Sequence, residues 1–471
     1  MTLKRIEIRG LRGFEDEGII NLAIPDGNYG SGLTILVGPN NSGKSTIIEA
    51  FSALSSAFSE TFKNPSFTEE MRNKKDDKIL IKAIDINNCF FEISNSSPLR
   101  SETGARSDGN FLGTDECIFV LPSRRAFDPY YQGNPFEASH RTNYIDQMEL
   151  SPNRGRKLSL FFSRISKAQQ RKEEFDRIMG EVLDPLPKWE IDRNGSGQYY
   201  MKFTYDGISH ISDGLGDGLL SIFFIVDALY DSNKNEIIVI DEPELSLHPS
   251  LQKKLSKLFA EYAKNRQIII ATHSPYFIDW DAIFNGANII RVIKEGRKSI
   301  VYPKEKISAD IIEALKGLMN DTHNPHVLGL DSKEIFFLDD NILLVEGQED
   351  VIYYKKILND LNKKLDGEFY GWGVGGAEKM RLIASLLNEL GYKKVIGILD
   401  GDKEKEKESL QKKFPDYRFF CIPADDLRTK KKRIIPAKNG LLDENYKIRT
   451  EYGADVIKLL DSIGSEFARS L

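Results

Sequence analysis

Apolar and polar positions alternate along the chain in short blocks, which predict the strands and helices of an α/β protein. Near the start, "KRIEIRGLRGF" has the two-residue period of a strand. The apolar run "LTILV" then leads into a helix from Ser45 to about Phe58. Further strands are predicted at "KILIKAIDI", "CFFEIS", "CIFVLP", "YYMKFTY", "EIIVI" and "RQIIIAT". A hairpin at "NIIRVIKEGRKSIVYP" closes this first unit, which we assign to residues 1–335.

A second unit, residues 336–471, alternates strand and helix patterns. The patterns are "NILLVEG", "DVIYYKKILNDL", "FYGWGV", "AEKMRLIASLLNEL", "KVIGILDGD", "RFFCIP" and a final helix at 453–469. This alternation predicts a small parallel sheet covered by helices. The fold class is therefore α/β in two units. A charged pattern with helical spacing at about 146–183 predicts a helical insertion in the first unit, for which our hypothesis is a dimer contact.

Composition sets few limits on function. The 471 residues, 40% of them hydrophobic, suffice for two or three domains. The net charge of −6 neither indicates nor excludes a nucleic-acid partner, because binding requires a local basic face. One basic run, Lys430 to Arg433, fits either a solvated loop or a contact to a phosphate backbone.

Cysteine usage and hydropathy indicate the compartment. The three cysteines are widely spaced and lack histidines at metal-site spacing, so they predict neither a disulfide framework nor a zinc site. We find no apolar run of the ~18 residues that a membrane helix needs and no signal-type apolar block. We therefore expect a soluble, cytoplasmic protein without a membrane partner.

The segment "GPNNSGKST" has the pattern of a phosphate-binding loop between a strand and a helix. Its glycines let backbone amides surround phosphates, a lysine neutralises the outer phosphates, and a serine hydroxyl reaches Mg²⁺ at a helix N-terminus. The predicted nucleotide-binding residues are Gly38, Asn40, Asn41, Gly43, Lys44, Ser45 and Thr46.

Two later strand ends complete this prediction. The run "IIVI" ends in Asp241, which we expect to hold the hydrated metal, and Glu242, which we expect to polarise the attacking water. His273 follows the strand "QIIIAT", where a sensor of the γ-phosphate belongs. An isolated histidine or strand-end glutamate is commonly structural. Here the phosphate-binding loop, the Asp241–Glu242 pair and His273 all occur in the expected order.

Residues 1 to about 300 resemble the ATP-binding-cassette ATPase superfamily, in its chromosome-maintenance and DNA-repair branch. "GPNNSGKST", "VIDEPELSLHP" and "ATHSP" carry the resemblance. It implies ATP as ligand and a signature loop that contacts the ATP of a partner subunit. The best match to that loop is "SDGLGDGLLSI", where Gly216 and Gly218 flank an aspartate in place of the usual Ser-Gly-Gly. A homodimer or higher homo-oligomer through the ATPase unit is implied.

The second unit carries carboxylates at predicted strand ends. Glu346 follows "ILLV", Asp350 lies four residues later, and Asp400 and Asp402 flank a glycine after "VIGIL". Because the carboxyl ends of parallel strands share one edge, these acids can meet. Their oxygens suit Mg²⁺ or Mn²⁺, and two such ions can clamp a phosphodiester. Any one of these acids alone is more often a helix cap.

"LLVEGQED" and "GILDGD" are similar to the Toprim domain of topoisomerases, primases and some nucleases. A cassette ATPase followed by a Toprim unit resembles the OLD family of ATP-dependent nucleases, and "EIFFLDDNILLVEG" is similar to that family's junction. The resemblance implies that the metals are held by Glu346, Asp350, Asp400 and Asp402. In "IPADDLRTKKK" it implies a further acid, Asp426 or its neighbour Asp425, and a basic residue, Lys430, near the scissile phosphate.

Two hypotheses follow. The first is an ATP-binding and ATP-hydrolysing, metal-dependent DNA endonuclease or nickase in anti-phage defence. The family implies a helicase, or a reverse transcriptase with a small DNA, as a partner. The second is an ATP-gated DNA sensor or clamp with an inactive Toprim unit. A topoisomerase or a primase would need additional domains that the sequence does not indicate.

Overall fold

The computed structural model describes most of the chain. The described residues are 2–58, 67, 71–73, 78–95, 103–108, 118–121, 123, 171–193, 199–205, 207–211, 217–230, 232–234, 236–319, 323–338, 340–429 and 440–469. In this part of the chain, no helix is both long and apolar enough to cross a membrane.

The N-terminal unit combines strands and helices. Its strands are β1 (Leu3–Arg9), β2 (Gly18–Asn21), β3 (Leu33–Val37), β4 (Leu80–Asp85), β5 (Phe90–Asn95), β6 (Thr103–Ser107), β7 (Ile118–Leu121), β8 (Lys188–Arg193), β9 (Tyr199–Tyr205), β10 (Ile208–Ile211), β11 (Ile237–Asp241), β12 (Gln267–Ala271), β13 (Asn288–Glu295) and β14 (Lys298–Tyr302). Its helices are α1 (Lys44–Phe58), α2 (Lys172–Val182), α3 (Asp217–Tyr230), α4 (Pro249–Tyr262), α5 (Trp280–Phe284) and α6 (Ala309–Leu318).

These strands form three sheets. The central sheet has the order β14-β13-β3-β12-β11-β7 and is parallel except for the β13–β14 hairpin. Every residue of β3 and β12 is buried, as expected for parallel strands covered on both faces. An antiparallel sheet has the order β2-β1-β4-β5-β6, and a smaller one has the order β10-β9-β8. The parallel strands β3, β11 and β12 bring their carboxyl ends to one edge.

The C-terminal unit is built around a parallel four-stranded sheet of order β16-β15-β17-β18. Its strands are β15 (Ile342–Val345), β16 (Glu368–Phe369), β17 (Val395–Leu399) and β18 (Arg418–Cys421), with a separate pair, β19 (Asp426–Arg428) and β20 (Gly440–Leu442). The helices that precede and surround the sheet are α7 (Leu330–Lys333), α8 (Gln348–Asp360), α9 (Ala377–Glu389), α10 (Glu404–Lys413) and α11 (Gly453–Ala468).

The described end of the helical insertion is part of the ATPase core. Helix α2 buries Phe175, Ile178 and Met179, and the Phe175 ring lies 5.8 Å from the Phe223 ring of α3. Residues 146–170, the rest of the predicted insertion, lie outside the described residues. Its role as a dimer contact stays a prediction, and a deletion that tests it has to spare α2.

The two units share one hydrophobic core. A single cluster of buried side chains runs from Leu33 of β3 through Ile311 of α6 and Phe336 to Leu344 of β15 and Phe419 of β18. The predicted division near residue 335 therefore crosses continuous packing.

A buried arginine fastens the two units together. Arg291 of β13 is 1% exposed and pairs in register with Val37, the last residue of β3. Its guanidinium donates hydrogen bonds to the carbonyl oxygens of Leu338 at 3.1 Å and Leu390 at 3.2 Å. The same group lies 3.6 Å from the centre of the Tyr392 ring. A cation in this position ties the strand before the phosphate-binding loop to the C-terminal unit.

We expect Arg291→Met to lower the free energy of unfolding by about 2–4 kcal/mol, because the buried carbonyl group of Leu390 and the half-buried one of Leu338 lose their donor. Urea denaturation followed by tryptophan fluorescence measures the change. The matched control is Arg381→Met, since Arg381 is exposed on α9, and we expect an effect within about 0.5 kcal/mol. Equal denaturation midpoints for the two variants would contradict this role of Arg291.

Candidate functional site

The loop between β3 and α1 has the backbone of a phosphate cradle. Gly38 has φ +131°, and a Cβ there would lie 2.1 Å from the carbonyl oxygen of Val292 on β13, so only glycine fits. Gly43 has φ +119° and Asn41 has φ 60°. These left-handed positions turn the chain sharply before α1 begins at Lys44.

This loop opens into a cavity of about 950 Å³. The residues predicted to bind nucleotide that line it are Asn40, Asn41, Gly43, Lys44, Ser45, Thr46, Asp241, Glu242 and His273. Four basic residues that sequence reasoning missed also line it: Arg12, Arg72, Lys294 and Arg297. A cavity with this many cations suits a polyphosphate.

The charged groups at the floor of the cavity act on one another. Burial lowers the pKa of Lys44 to about 8, against the charges of Asp241 and Glu242. Its ammonium donates to the carbonyl oxygens of Gly38 and Pro39, both at 2.8 Å. Burial, with the neighbouring carboxylates, raises the pKa of Asp241 to about 6. A phosphate group beside Lys44 would favour the charged ammonium, and a metal ion beside Asp241 would favour the charged carboxylate.

Glu242 and His273 come from neighbouring strand ends. Glu242 has φ 48°, and its carboxylate accepts a hydrogen bond from the Ser123 hydroxyl at 3.0 Å. Burial lowers the pKa of His273, and the charge of Lys44 lowers it further. These two effects favour the neutral imidazole, which donates one hydrogen bond and accepts another.

Glu244 has a role that sequence reasoning missed. Its carboxylate accepts from the Thr272 hydroxyl at 2.8 Å and from the backbone NH of His273 at 2.6 Å. Burial raises the pKa of this carboxyl. The side chain thus links the loop after β11 to the end of β12 and fixes where His273 stands.

The predicted signature loop is described only in part. Gly216 lies outside the described residues. Gly218, in the first turn of α3, packs so closely on the loop after β11 that a Cβ would meet the carbonyl oxygen of Ser246 at 2.4 Å. Its predicted contact to a second subunit's nucleotide stays a prediction.

In the C-terminal unit, two parallel strands bring carboxylates together. Glu346 follows β15, and Asp400 follows the adjacent β17. The backbone NH of Asp400 donates to Glu346 Oε1 at 3.0 Å. The carbonyl oxygen of Glu346 accepts from the backbone NH groups of Gly375 and Gly376, at 2.9 and 2.8 Å. Glu346 is therefore held by both neighbouring segments.

Asp350 joins this group from the start of α8. Its carboxylate accepts from the backbone NH of Gly347 at 2.8 Å, so it does cap a helix. Burial, together with the charges of Glu346, Asp426 and Glu349, raises the pKa of Asp350 to about 6. The mutual repulsion shows that these carboxylates lie close enough to interact.

The sharp turn after β17 positions Asp402, another candidate metal ligand. Gly401 NH donates to the Ala424 carbonyl oxygen at 2.9 Å, and a Cβ on Gly401 would lie 2.3 Å from that oxygen. Asp402 is exposed on the turn, at the same sheet edge.

Of the two adjacent acids after β18, Asp425 is exposed and Asp426 is buried on β19. Burial therefore favours Asp426 as the candidate metal ligand.

A basic group also borders this edge. Arg428 of β19 forms an ion pair with Glu349 of α8. Lys430, the basic residue implied by the family resemblance, lies outside the described residues. Arg428 is thus the described cation closest in sequence to the predicted position.

The carboxylates fit a hard divalent cation. Glu346, Asp400 and Asp402 follow two adjacent strands of the sheet, whereas Asp350 lies at the start of α8 and Asp426 lies on β19. Carboxylate oxygens are ligands that Mg²⁺ and Mn²⁺ prefer. Burial and its like-charged neighbours destabilise Asp350 as an anion, and a bound cation would favour the charged carboxylate. Within the described residues, no three acidic, histidine or cysteine side chains are already grouped closely enough to hold a metal ion. Binding would therefore require small side-chain movements.

Family models match three stretches of the chain. An AAA ATPase domain matches residues 1–145, and an AAA domain described for the AbiEii toxin of a Type IV TA system matches residues 131–279. The TOPRIM domain of Overcoming lysogenization defect protein-like proteins matches residues 336–402.

Curated relatives carry nuclease names. An OLD nuclease of Thermus scotoductus is 21% identical over 82% of this chain and 80% of its own length. The Old nuclease of Escherichia phage P2 is 29% identical over 34% of this chain, and Endonuclease GajA of Bacillus cereus is 26% identical over 43% of it. The chain spans only 26% and 33% of the length of these last two proteins.

Among solved structures, the chain is similar to an SMC head domain from Thermotoga maritima, with 16% identity, 64% of this chain and 98% of that chain covered, and a TM-score of 0.38. The chain is also similar to an SmcHead bound to the C-winged helix domain of ScpA, with 15% identity, 67% of this chain and 100% of that chain covered, and a TM-score of 0.43. The predicted α/β fold class, an ATPase unit followed by a TOPRIM unit, is confirmed by the sheets and the family models.

Proposed function

Because this chain belongs to the OLD family and is an ATP-dependent nuclease, we propose that the acidic edge of its C-terminal unit cuts or nicks DNA under the control of the N-terminal unit. The observation that carries the proposal is the contact between Glu346 and Asp400. These residues are 54 positions apart in sequence, end adjacent parallel strands and are joined by a 3.0 Å hydrogen bond.

The acidic edge would hold Mg²⁺ or Mn²⁺ through Glu346, Asp350, Asp400, Asp402 and Asp426. When bound, the metal would stabilise negative charge on the phosphodiester and would lower the pKa of a water molecule. The chain's own groups set the geometry. The backbone contact to Asp400 orients Glu346, and the close packing of Gly401 fixes the turn that carries Asp402. Lys430, or Arg428 at the same edge, would neutralise the scissile phosphate.

The N-terminal unit would bind ATP with Mg²⁺. Lys44 would neutralise the outer phosphates, Ser45 and Asp241 would hold the metal, and Glu242 would polarise the attacking water. His273 would contact the γ-phosphate. Gly216 and Gly218 would meet the ATP of a second subunit, so the proposed state is a homodimer or higher homo-oligomer.

We further propose a role in anti-phage defence, with a helicase or a reverse transcriptase and small DNA as partner. Family membership supports this proposal, and so does the presence of a phage nuclease among the relatives. The alternative, an ATP-gated DNA sensor with an inactive TOPRIM unit, retains the ATP site and predicts DNA binding without cleavage.

The test is incubation of the purified chain with supercoiled plasmid and Mg²⁺ or Mn²⁺, with and without ATP. We expect nicked or linear product from the wild type and none from the double variant Asp400→Ala, Asp402→Ala. Asp366→Asn is the matched control, because Asp366 is an exposed acid away from the sheet edge. Equal cleavage by the double variant would refute the acidic edge as the nuclease centre. Nucleotide-dependent DNA binding without cleavage would favour the sensor.

A further inference from the structure

Helix α8 and two loops beside it form an exposed surface of rings and lysines that the proposed nuclease centre does not use. Its members are Ile352, Lys355, Lys356, Trp372 and Tyr446, which we call the Trp372 surface. Three of them are large apolar side chains left in solvent: Ile352 is 53% exposed, Tyr446 47% and Trp372 39%. Such a cluster of exposed apolar groups is typical of a binding surface.

The cations and rings of this surface are interleaved. Lys355 Nζ lies 5.8 Å from the centre of the Trp372 ring, and Lys356 Nζ lies 5.7 Å from the centre of the Tyr446 ring. Lys356 also donates to the Tyr446 carbonyl oxygen at 3.0 Å. Ile352 is one helical turn before both lysines and so lies on the face between them. Within the described part of the chain, neither lysine forms an ion pair with a carboxylate.

The Trp372 surface is attached to the acidic edge. Helix α8 begins two residues after Glu346, at Gln348. The Trp372 loop returns to the same place, because a Cβ on Gly373 would lie 2.7 Å from the carbonyl carbon of Gly347. The Trp372 ring is held in turn by a hydrogen bond from its Nε1 to the Asp331 carboxylate.

We propose that the Trp372 surface binds an unpaired strand of the DNA substrate next to the nuclease centre, an inference that rests on the proposed function. Bases stack on aromatic rings without regard to sequence, and lysine ammonium groups contact the phosphates between them. Paired bases are already stacked within a duplex and offer no face to Trp372. The acidic edge repels phosphates, so cations beside it are needed to hold a strand there. The lysines therefore favour a nucleic-acid strand beside the acidic edge, and the exposed rings favour one with unpaired bases, so single-stranded DNA is the occupant.

The test measures binding in EDTA, where no cleavage occurs, with a fluorescein-labelled oligo-dT strand and a hairpin duplex as probes. We expect Trp372→Ala to weaken oligo-dT binding by about 10-fold or more and Lys355→Ala to weaken it by several-fold. Duplex affinity should change less than about twofold. Trp372→Phe should keep most of the affinity, because a ring remains. Lys364→Ala is the matched control for Lys355→Ala, since Lys364 is an exposed lysine outside the surface.

Intrinsic fluorescence gives a second readout. The chain has three tryptophans, and Trp189 and Trp280 are buried, so stacking on Trp372 should quench emission when oligo-dT is added. Unchanged affinity in Trp372→Ala and Lys355→Ala, or no quenching, would overturn the proposal. Dissociation of an oligomer by Trp372→Ala at unchanged DNA affinity would also overturn it and would assign the surface to a second copy of the chain. If the nuclease proposal is wrong, the wild type will not cleave DNA, but the differences in oligo-dT binding between the variants will still be observed.

Discussion

Glu346→Gln will lower metal-dependent DNA cleavage by about 100-fold or more and leave ATP hydrolysis unchanged. Glutamine preserves the size of the side chain and an oxygen acceptor, but it removes the negative charge that would hold a divalent cation. The contribution of a bound metal to such chemistry is several kcal/mol, which corresponds to a loss of this size. Initial rates of plasmid nicking, measured beside ATPase rates, report the two effects separately.

The matched control is Glu368→Gln. Glu368 is exposed on β16 and pairs with Ile342, at the opposite end of β15 from Glu346. It is therefore a carboxylate of the same sheet that lies away from the acidic edge. Titration calorimetry with Mn²⁺ adds a readout that does not depend on cleavage, and we expect weaker Mn²⁺ binding only in Glu346→Gln. Full cleavage by Glu346→Gln would remove this residue from the nuclease centre.

Glu242→Gln will slow ATP hydrolysis by about 100- to 1000-fold while ATP still binds. The physical reason is that Glu242 lines the nucleotide cavity and is fixed by the Ser123 hydroxyl, whereas Lys44 and the glycine-rich loop make the phosphate contacts. Single-turnover hydrolysis and binding of a fluorescent ATP analogue separate the two steps. The control is Glu261→Gln, because Glu261 is exposed on α4 and pairs with Lys264. A hydrolysis rate within threefold of wild type would assign the water-polarising role elsewhere.

The same variant also reports the coupling of the two sites. With ATP held in the cavity, cleavage should rise or fall relative to the wild type, depending on whether the closed ATPase exposes or shields the acidic edge. Identical cleavage with and without ATP, in both Glu242→Gln and Lys44→Ala, would show that the two units work independently.

The sequence predicted the local elements of the fold well, because the motifs lie at strand ends that hydropathy reveals. The phosphate-binding loop falls between β3 and α1, and Glu346 and Asp400 follow β15 and β17, as predicted. The order of strands in the central sheet could not be predicted, since it depends on pairings between distant segments. Strands β6, β8, β10, β19 and β20 and helices α4, α5 and α7 were also not assigned.

Site residues were missed where their role arises only in three dimensions. Glu244 was visible within "DEPE", but its contact with the NH of His273 joins two separate strand ends. Burial distinguishes Asp426 from Asp425, and adjacent positions in a sequence do not show it. Arg12 and Arg297 lie almost three hundred residues apart and meet only at the nucleotide cavity.

Arg291 makes the two units poor candidates for separate expression. A chain cut near residue 335 would leave that guanidinium without the carbonyl oxygens of Leu338 and Leu390, and would open part of the shared hydrophobic core to water. The TOPRIM family model begins at residue 336, but the folded molecule cannot be divided there without breaking these contacts. Exchange of one unit between relatives would have to carry the surroundings of Arg291 and Tyr392 along with it.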